Sequence, residues 1–156
     1  MSWKKEISQI KLREKLAKQQ GGSEAVKVQH DKGRLTLRER IDLLLDKDSF
    51  DEIGKVAGGA EYDDEGNLLS LTPANFILGF GKIEGQDVIV GGEDFTVKGG
   101  SPNAAGLRKS VYTDDLAVKH TFPLVRLHEG GGGSVAGPSK EKKGYGGDPV
   151  FARSRF

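Results

Sequence analysis

Apolar residues recur at helical spacing through the first third of the chain, then give way to short apolar runs punctuated by glycine. Trp3, Ile7 and Ile10 stand at i, i+4 and i+7, and the Gly21-Gly22 pair closes the segment. This spacing predicts a helix over about 3–18 whose apolar stripe packs on something. Ser23 to about Gly33 reads as a second, shorter helix. A third is signalled by TLRE, in which Thr36 and Glu39 form a capping box, followed by Leu37, Ile41, Leu44 and Leu45 on one face.

Between 49 and 74 no period emerges. Asp64, Glu65, Gly66 and Asn67 read as a turn, and the stretch as an irregular acidic connector. From Asn75 two apolar runs, Phe76 to Ile83 and Val88 to Val90, are joined across Glu84, Gly85 and Gln86, which predicts a hairpin. In EDFTVKGGSPNAAG, Gly99 and Gly100 allow a tight turn, Ser101 suits a helix N-cap and Pro102 the first helical position. The helix then runs to about Lys119 with Leu107, Val111 and Val118 on one face. Pro123 precedes a short buried strand, LVRL, and the chain soon enters four consecutive glycines, Gly130 to Gly133. After them the pattern is uninformative, and no internal repeat stands out. The fold class is α/β: a helical arm over 1–48, an acidic connector over 49–74 and the start of a layered α/β domain over 75–156.

Composition narrows the chemistry. The chain has 156 residues, room for one domain, and 23 glycines, roughly twice what an average usage of about 7% gives. Such a chain is a turn-rich sheet protein or part of a larger one. Absence of cysteine excludes a disulfide framework, a thiolate zinc site and a cysteine nucleophile. His30, His120 and His128 form no HxxxH or HExxH spacing, so no metal site is expected.

No stretch approaches the roughly 18 apolar residues of a membrane span. MSWKKEISQ has no apolar leader core, and Glu6 and Glu14 argue against a transit peptide, so a soluble cytoplasmic protein is expected. Charge is segregated: residues 1–40 hold eleven Lys/Arg against five Asp/Glu, and residues 41–70 two against nine. A basic arm could meet nucleic acid, membrane or a phosphorylated ligand. Solvated helix faces are the plainer reading, and neither nucleic acid nor membrane is expected as a partner.

Four adjacent glycines lose much conformational freedom on folding and so need a reason. A phosphate-binding P-loop is rejected, because in GGSVAGPS Pro138 stands where the lysine belongs. Gly131, Gly133 and Ala136 satisfy a dinucleotide GxGxxG/A pattern, but Pro138 intrudes on the helix that should follow. Two readings stay open: a flexible linker, or an oxyanion turn whose bare N–H groups approach a developing negative charge.

Three ordered motifs carry a resemblance. DKGRLTLRERIDLLLDKDSFDEIG at 31–54 is similar to the amino-terminal signature of the biotin-dependent acyl-CoA carboxylase carboxyltransferase family, the propionyl-, methylcrotonyl- and acetyl-CoA carboxylase type. EDFTVKGGS at 93–101 resembles that family's DFTVxGGS, and LHEGGGG at 127–133 its strand and glycine-pair turn. The resemblance covers about residues 20–133. It implies an amino-terminal fragment holding an incomplete first crotonase-like domain, preceded by helices.

The resemblance further implies an acyl-CoA substrate and carboxybiotin on a partner subunit or domain. Its partners would be a biotin carboxylase or biotin carboxyl carrier subunit and, in the complete protein, further carboxyltransferase subunits in a homo-oligomer. The enolate-stabilising glycines would be Gly131 and Gly132, with Gly130 and Gly133 possible by register. Gly99, Gly100 and Ser101 would form a backbone wall along CoA. Arg108 and Lys109, or Lys32 and Arg34, could meet CoA phosphates, although solvated surface is the plainer reading for each. Here Gly133, Ser134 and Pro138 depart from the family's Ala-Arg and following helix. No side chain is an obvious general base, in keeping with a family in which biotin itself is thought to take the proton. The rivals are a non-catalytic interaction module that binds a partner subunit and, behind it, a nucleotide-binding domain for NAD or ATP.

Overall fold

The computed structural model describes residues 3–101 and 103–129. Helices α1 (Lys4–Ala17), α2 (Ser23–Asp31) and α3 (Leu37–Leu44) come first. Strands β1 (Asp51–Glu52), β2 (Gly58–Tyr62), β3 (Leu68–Pro73), β4 (Phe76–Ile83) and β5 (Gln86–Glu93) follow, then α4 (Ala104–His120) and β6 (Leu124–Leu127). β2 and β3 pair with each other, and the remaining strands form a sheet of order β1-β4-β5-β6. β4 is antiparallel to both neighbours, whereas α4 carries the chain across so that β6 runs parallel to β5.

The α3 start follows the expected capping box. Thr36 N–H donates to Glu39 Oε2 at 2.7 Å, and Thr36 Oγ1 accepts the longer return bond from Glu39 N–H at 3.4 Å. The β4–β5 hairpin turns on Glu84 and Gly85, both at positive φ (51° and 79°), the primed geometry that matches strand twist. Asp46, just beyond α3, accepts both turn N–H groups, at 2.9 and 2.7 Å.

One face of the sheet packs Ile77, Val88 and Val90 against Leu37, Ile41 and Leu45 from α3 and the residue after it. The other packs Phe76, Leu78 and Ile89 against Leu116 of α4. Alternate residues of β4 and β5 thus serve opposite layers, and both strands read as continuous apolar runs because both faces are covered. Each such side chain contributes about 1.5–3 kcal/mol by leaving water.

Four expectations are corrected. The α1 stripe does not pack: Trp3 is 68% exposed, Ile7 and Ile10 are half-exposed, and Ala17 is the buried residue of that helix. The acidic connector contains β1 and the β2–β3 hairpin; β2 is exposed along its whole length, so no alternation marks it. Its turn lies where expected, with Asp63 Oδ1 accepting the N–H groups of Glu65 and Asn67 at 3.0 and 2.7 Å.

On α4 the inward residues are Gly106, Lys109, Thr113 and Leu116, while Leu107, Val111 and Val118 face outward, Val118 at 79% exposure. The hydroxyl of Thr113 is satisfied inside by the Lys109 carbonyl at 2.6 Å. Finally, the α4 N-cap is Asn103, whose Oδ1 accepts Gly106 N–H at 2.7 Å, in place of the expected Ser101. Ser101 is instead the residue that closes the preceding turn (φ −57°, ψ 124°), with its carbonyl held by Asn75.

Candidate functional site

Because β5 and β6 are parallel, with Gly92 opposite Leu127, the chain leaves both strands at the same end of the sheet. Their close approach needs glycine at 92, where a Cβ would lie 2.6 Å from the Leu127 carbonyl and 2.7 Å from a Leu37 methyl. Beyond β5 comes the turn bearing Gly99, Gly100 and Ser101; beyond β6 come His128 and Glu129, which lead to the glycine run. His128 Nδ1 lies 3.2 Å from Glu93 Oε1, joining the two exits. Crevices outside the carboxyl ends of strands are where open α/β sheets receive ligands.

The turn after β5 is built by short-range bonds. Asp94, fully buried, donates its N–H to the Asn75 carbonyl at 2.9 Å. Its Oδ1 accepts Thr96 N–H at 3.0 Å and Thr96 Oγ1–H at 2.6 Å, and Thr96 Oγ1 in turn accepts Gly21 N–H at 2.9 Å. Lys98, Gly99 and Gly100 then follow one another in the left-handed region (φ 51°, 61° and 73°). Glycine adopts it freely, whereas Lys98 carries strain of about 1–2 kcal/mol. The turn closes with Gly100 N–H to Val97 O at 3.1 Å and Ser101 N–H to Lys98 O at 3.2 Å. Lys98 and Gly99 are exposed, Ser101 is half-buried, and Gly100 is buried against Phe95.

A charged cluster lies under this turn. Arg38 donates bidentately to Glu52 at 2.8 and 3.1 Å, and Lys109 Nζ donates to the Gly54 carbonyl at 3.3 Å. Burial pushes the Asp94 carboxyl above the usual carboxylate range, opposed by the two bonds from Thr96 and by Arg38. Burial also pulls the Lys109 ammonium below the usual lysine range, opposed by Glu52. A void of about 10 Å³ is lined by Arg38, Glu52, Asp94 and Lys109, together with Lys55. Arg38 thus ties α3 to β1 and Lys109 ties α4 to the residues after β1, with Asp94 facing the same void, a scaffolding role.

Of the expected site residues, Gly99, Gly100 and Ser101 share one turn. Arg108 stands on the exposed side of α4 with no ion pair among the described residues, while its neighbour Lys109 is buried. Lys32 and Arg34 are exposed; Arg34 and Arg40 lie 3.7 and 3.8 Å from Glu129, immediately before the glycine run. Gly130, Gly131, Gly132 and Gly133 fall outside the described residues. Of the turn's main organisers, Asp94 opens the DFTVxGGS-like motif, whereas Asn75 carries no local sequence signal. Among the described residues no group of three or more His, Asp and Glu is placed to hold a metal ion, and no helix is long and apolar enough to cross a membrane.

Residues 28–154 match the sequence profile of the carboxyl transferase domain. The chain belongs to the carboxyl transferase domain family. It is 33% identical over 150 residues to the propionyl-CoA carboxylase beta chain of Roseobacter denitrificans, which takes in 95% of this chain and 29% of that relative. With the biotin-dependent acetyl-/propionyl-coenzyme A carboxylase beta5 subunit of Mycobacterium tuberculosis it shares 38% over 116 residues, 73% of this chain and 21% of the relative.

Among solved structures, the chain superimposes on part of one chain of the transcarboxylase 12S structure, which has methylmalonyl-coenzyme A and methylmalonic acid bound (TM-score 0.72, 28% identity, 86% of this chain and 26% of that one). A single-chain, multi-domain long-chain acyl-CoA carboxylase is also similar (TM-score 0.68, 28% identity, 84% of this chain and 14% of that one). The layered α/β fold is thus that of crotonase-like carboxyltransferases, as expected. The chain spans less than a third of the length of these relatives.

Proposed function

We propose that this chain supplies the acyl-CoA side of a biotin-dependent acyl-CoA carboxyltransferase, whose complete protein moves CO₂ from carboxybiotin to the α-carbon of an acyl-CoA. The observation that carries this reading is the exit of both glycine-bearing segments from neighbouring parallel strands at one end of the sheet, in a chain of this family. Removing the α-proton of a thioester builds negative charge on its carbonyl oxygen. Backbone N–H donors of Gly131 and Gly132, or of the adjacent pair that takes in Gly130 or Gly133 if the register shifts by one, would receive it. One such donor is worth about 2.7–4 kcal/mol in a transition state.

Gly99, Gly100 and Ser101 form the wall along CoA in this reading. Lys98 and Gly99 present N–H groups that meet no acceptor among the described residues. Arg108 is the exposed cation assigned to the CoA phosphates. Carboxybiotin, carried by a biotin carboxyl carrier partner loaded by a biotin carboxylase, supplies the CO₂. The complete protein is a cytoplasmic homo-oligomer that engages neither nucleic acid nor membrane. The division into an arm (1–48), a connector (49–74) and the start of the first carboxyltransferase domain (75–156) is part of the same proposal.

A second reading, a non-catalytic interaction module, draws support from the exposed stripe of Trp3, Ile7 and Ile10. Calorimetric titration of the folded chain with a short acyl-CoA, with NAD and ATP as controls, separates the two. Saturable binding of acyl-CoA alone is expected; no binding by folded chain means either that the site needs the rest of the protein or that the interaction module takes first place, and NAD binding overturns both. In the full-length protein, Gly131→Val with Gly132→Val should abolish carboxyl transfer while leaving the subunit folded, and normal turnover in that variant sinks the assignment.

A further inference from the structure

Asn75 sits between β3 and β4, 2% exposed, and both polar atoms of its side chain are committed to the segment after β5. Nδ2 donates to the Gly100 carbonyl at 3.0 Å and to the Ser101 carbonyl at 2.6 Å. Oδ1 accepts Asn103 N–H at 3.3 Å, and the Asn75 backbone carbonyl accepts Asp94 N–H at 2.9 Å. One residue therefore holds the turn where it leaves β5 and where it enters α4. The fit is close, since a Cβ on Gly106 would collide with Asn75 Oδ1.

The turn so held would not keep this shape unaided. Gly99 and Gly100 have the widest backbone freedom of any residue, and Lys98 occupies a region that an L side chain disfavours. A buried amide has both donors and acceptor, so it can satisfy two carbonyls and one N–H at once. No other side chain of this size does that, because a carboxylate offers acceptors only and a hydroxyl has one proton.

We propose that Asn75 is a positioning residue that clamps Gly99, Gly100 and Ser101 in the conformation that receives acyl-CoA, so that the wall exists before the ligand arrives. The proposal rests on the acyl-CoA reading above for its ligand, but the clamp itself can be read without one. Preorganisation of this kind lowers the ordering cost of binding and appears in affinity.

Amide hydrogen exchange by NMR tests it in wild type, Asn75→Ala, Asn75→Asp and Val88→Ala. The last is a control destabilised in the α3 layer, away from the turn. In wild type the Gly100, Ser101 and Asn103 amides should be protected; fast exchange there overturns the clamp without recourse to any variant. In Asn75→Ala they should exchange about tenfold faster or more than in Val88→Ala, compared at matched protection of β4 and β5. Asn75→Asp should do the same by placing a carboxylate against two carbonyls. Equal exchange in variant and control overturns the proposal.

Acyl-CoA affinity measured on the same samples should fall about tenfold in Asn75→Ala and not in Val88→Ala. A loosened turn with unchanged affinity removes the positioning role. If wild type binds no acyl-CoA, this chain does not hold the ligand site by itself, and the exchange rates still decide the clamp.

Discussion

Asp94 is a carboxylate placed where ionisation is costly: it is buried, its Oδ1 is satisfied by Thr96, and burial holds its pKa above the usual range. For a carboxyl raised on folding, the stabilising contribution is complete below the unfolded pKa of about 3.9 and is lost as pH rises through the folded value. Asp94→Asn keeps an acceptor for Thr96 and removes the charge. Urea unfolding from pH 4 upward should therefore show a flatter decline for Asp94→Asn than for wild type; identical slopes would mean that Asp94 is not the group responsible. Glu39 has the opposite sign, held below the usual range by His30 at 2.9 Å and by Thr36 N–H. Legibility also differs, between Glu39 and the amide Asn75. Glu39 was readable because its capping partner lies three residues away, whereas Asn75 reaches Gly100 across 25 positions, a distance over which a sequence carries no local signal.

At the scale of elements, α3 and the β4–β5 hairpin were legible because each combines a local stop or turn signal with one apolar face. The orientation of α4 was not. Its apolar spacing at 107, 111 and 118 suggested an inward face, yet a glycine, a lysine and a threonine point inward with Leu116. Gly106 is inside because the helix start must approach Asn75, and Lys109 and Thr113 are inside because their polar atoms find partners there. Gly106→Ala should thus destabilise by about 1–3 kcal/mol through overpacking. Val118→Ser should stay within about 0.5 kcal/mol of wild type. Chemical denaturation of both measures the contrast, and comparable losses would contradict the orientation described. β2 went unseen for a simpler reason, since a strand exposed on every residue leaves no alternation to read.

For the whole molecule, three separated motifs pointed to the family where no single helix or turn could, and residues 28–154 match it as a unit. What remained hidden was the arrangement that makes the motifs one place: the parallel β5–β6 pair is non-local, joined by the segment 94–123 that contains α4. That connection also sets an order of assembly. The β4–β5 hairpin closes over two residues, whereas β6 pairs with β5 only after a long loop has been closed, so the expected order crosses the folding barrier with the hairpin formed and brings β6 in late. Mutations in β6 should accordingly speed unfolding while hardly slowing refolding. Stopped-flow kinetics of Val125→Ala, against Val88→Ala in the hairpin, reads this directly, and a slowed refolding limb for Val125→Ala would refute it. Because β6 leads into the glycine run, a strand that docks last means that this run can be put in place only after the rest of the sheet has formed.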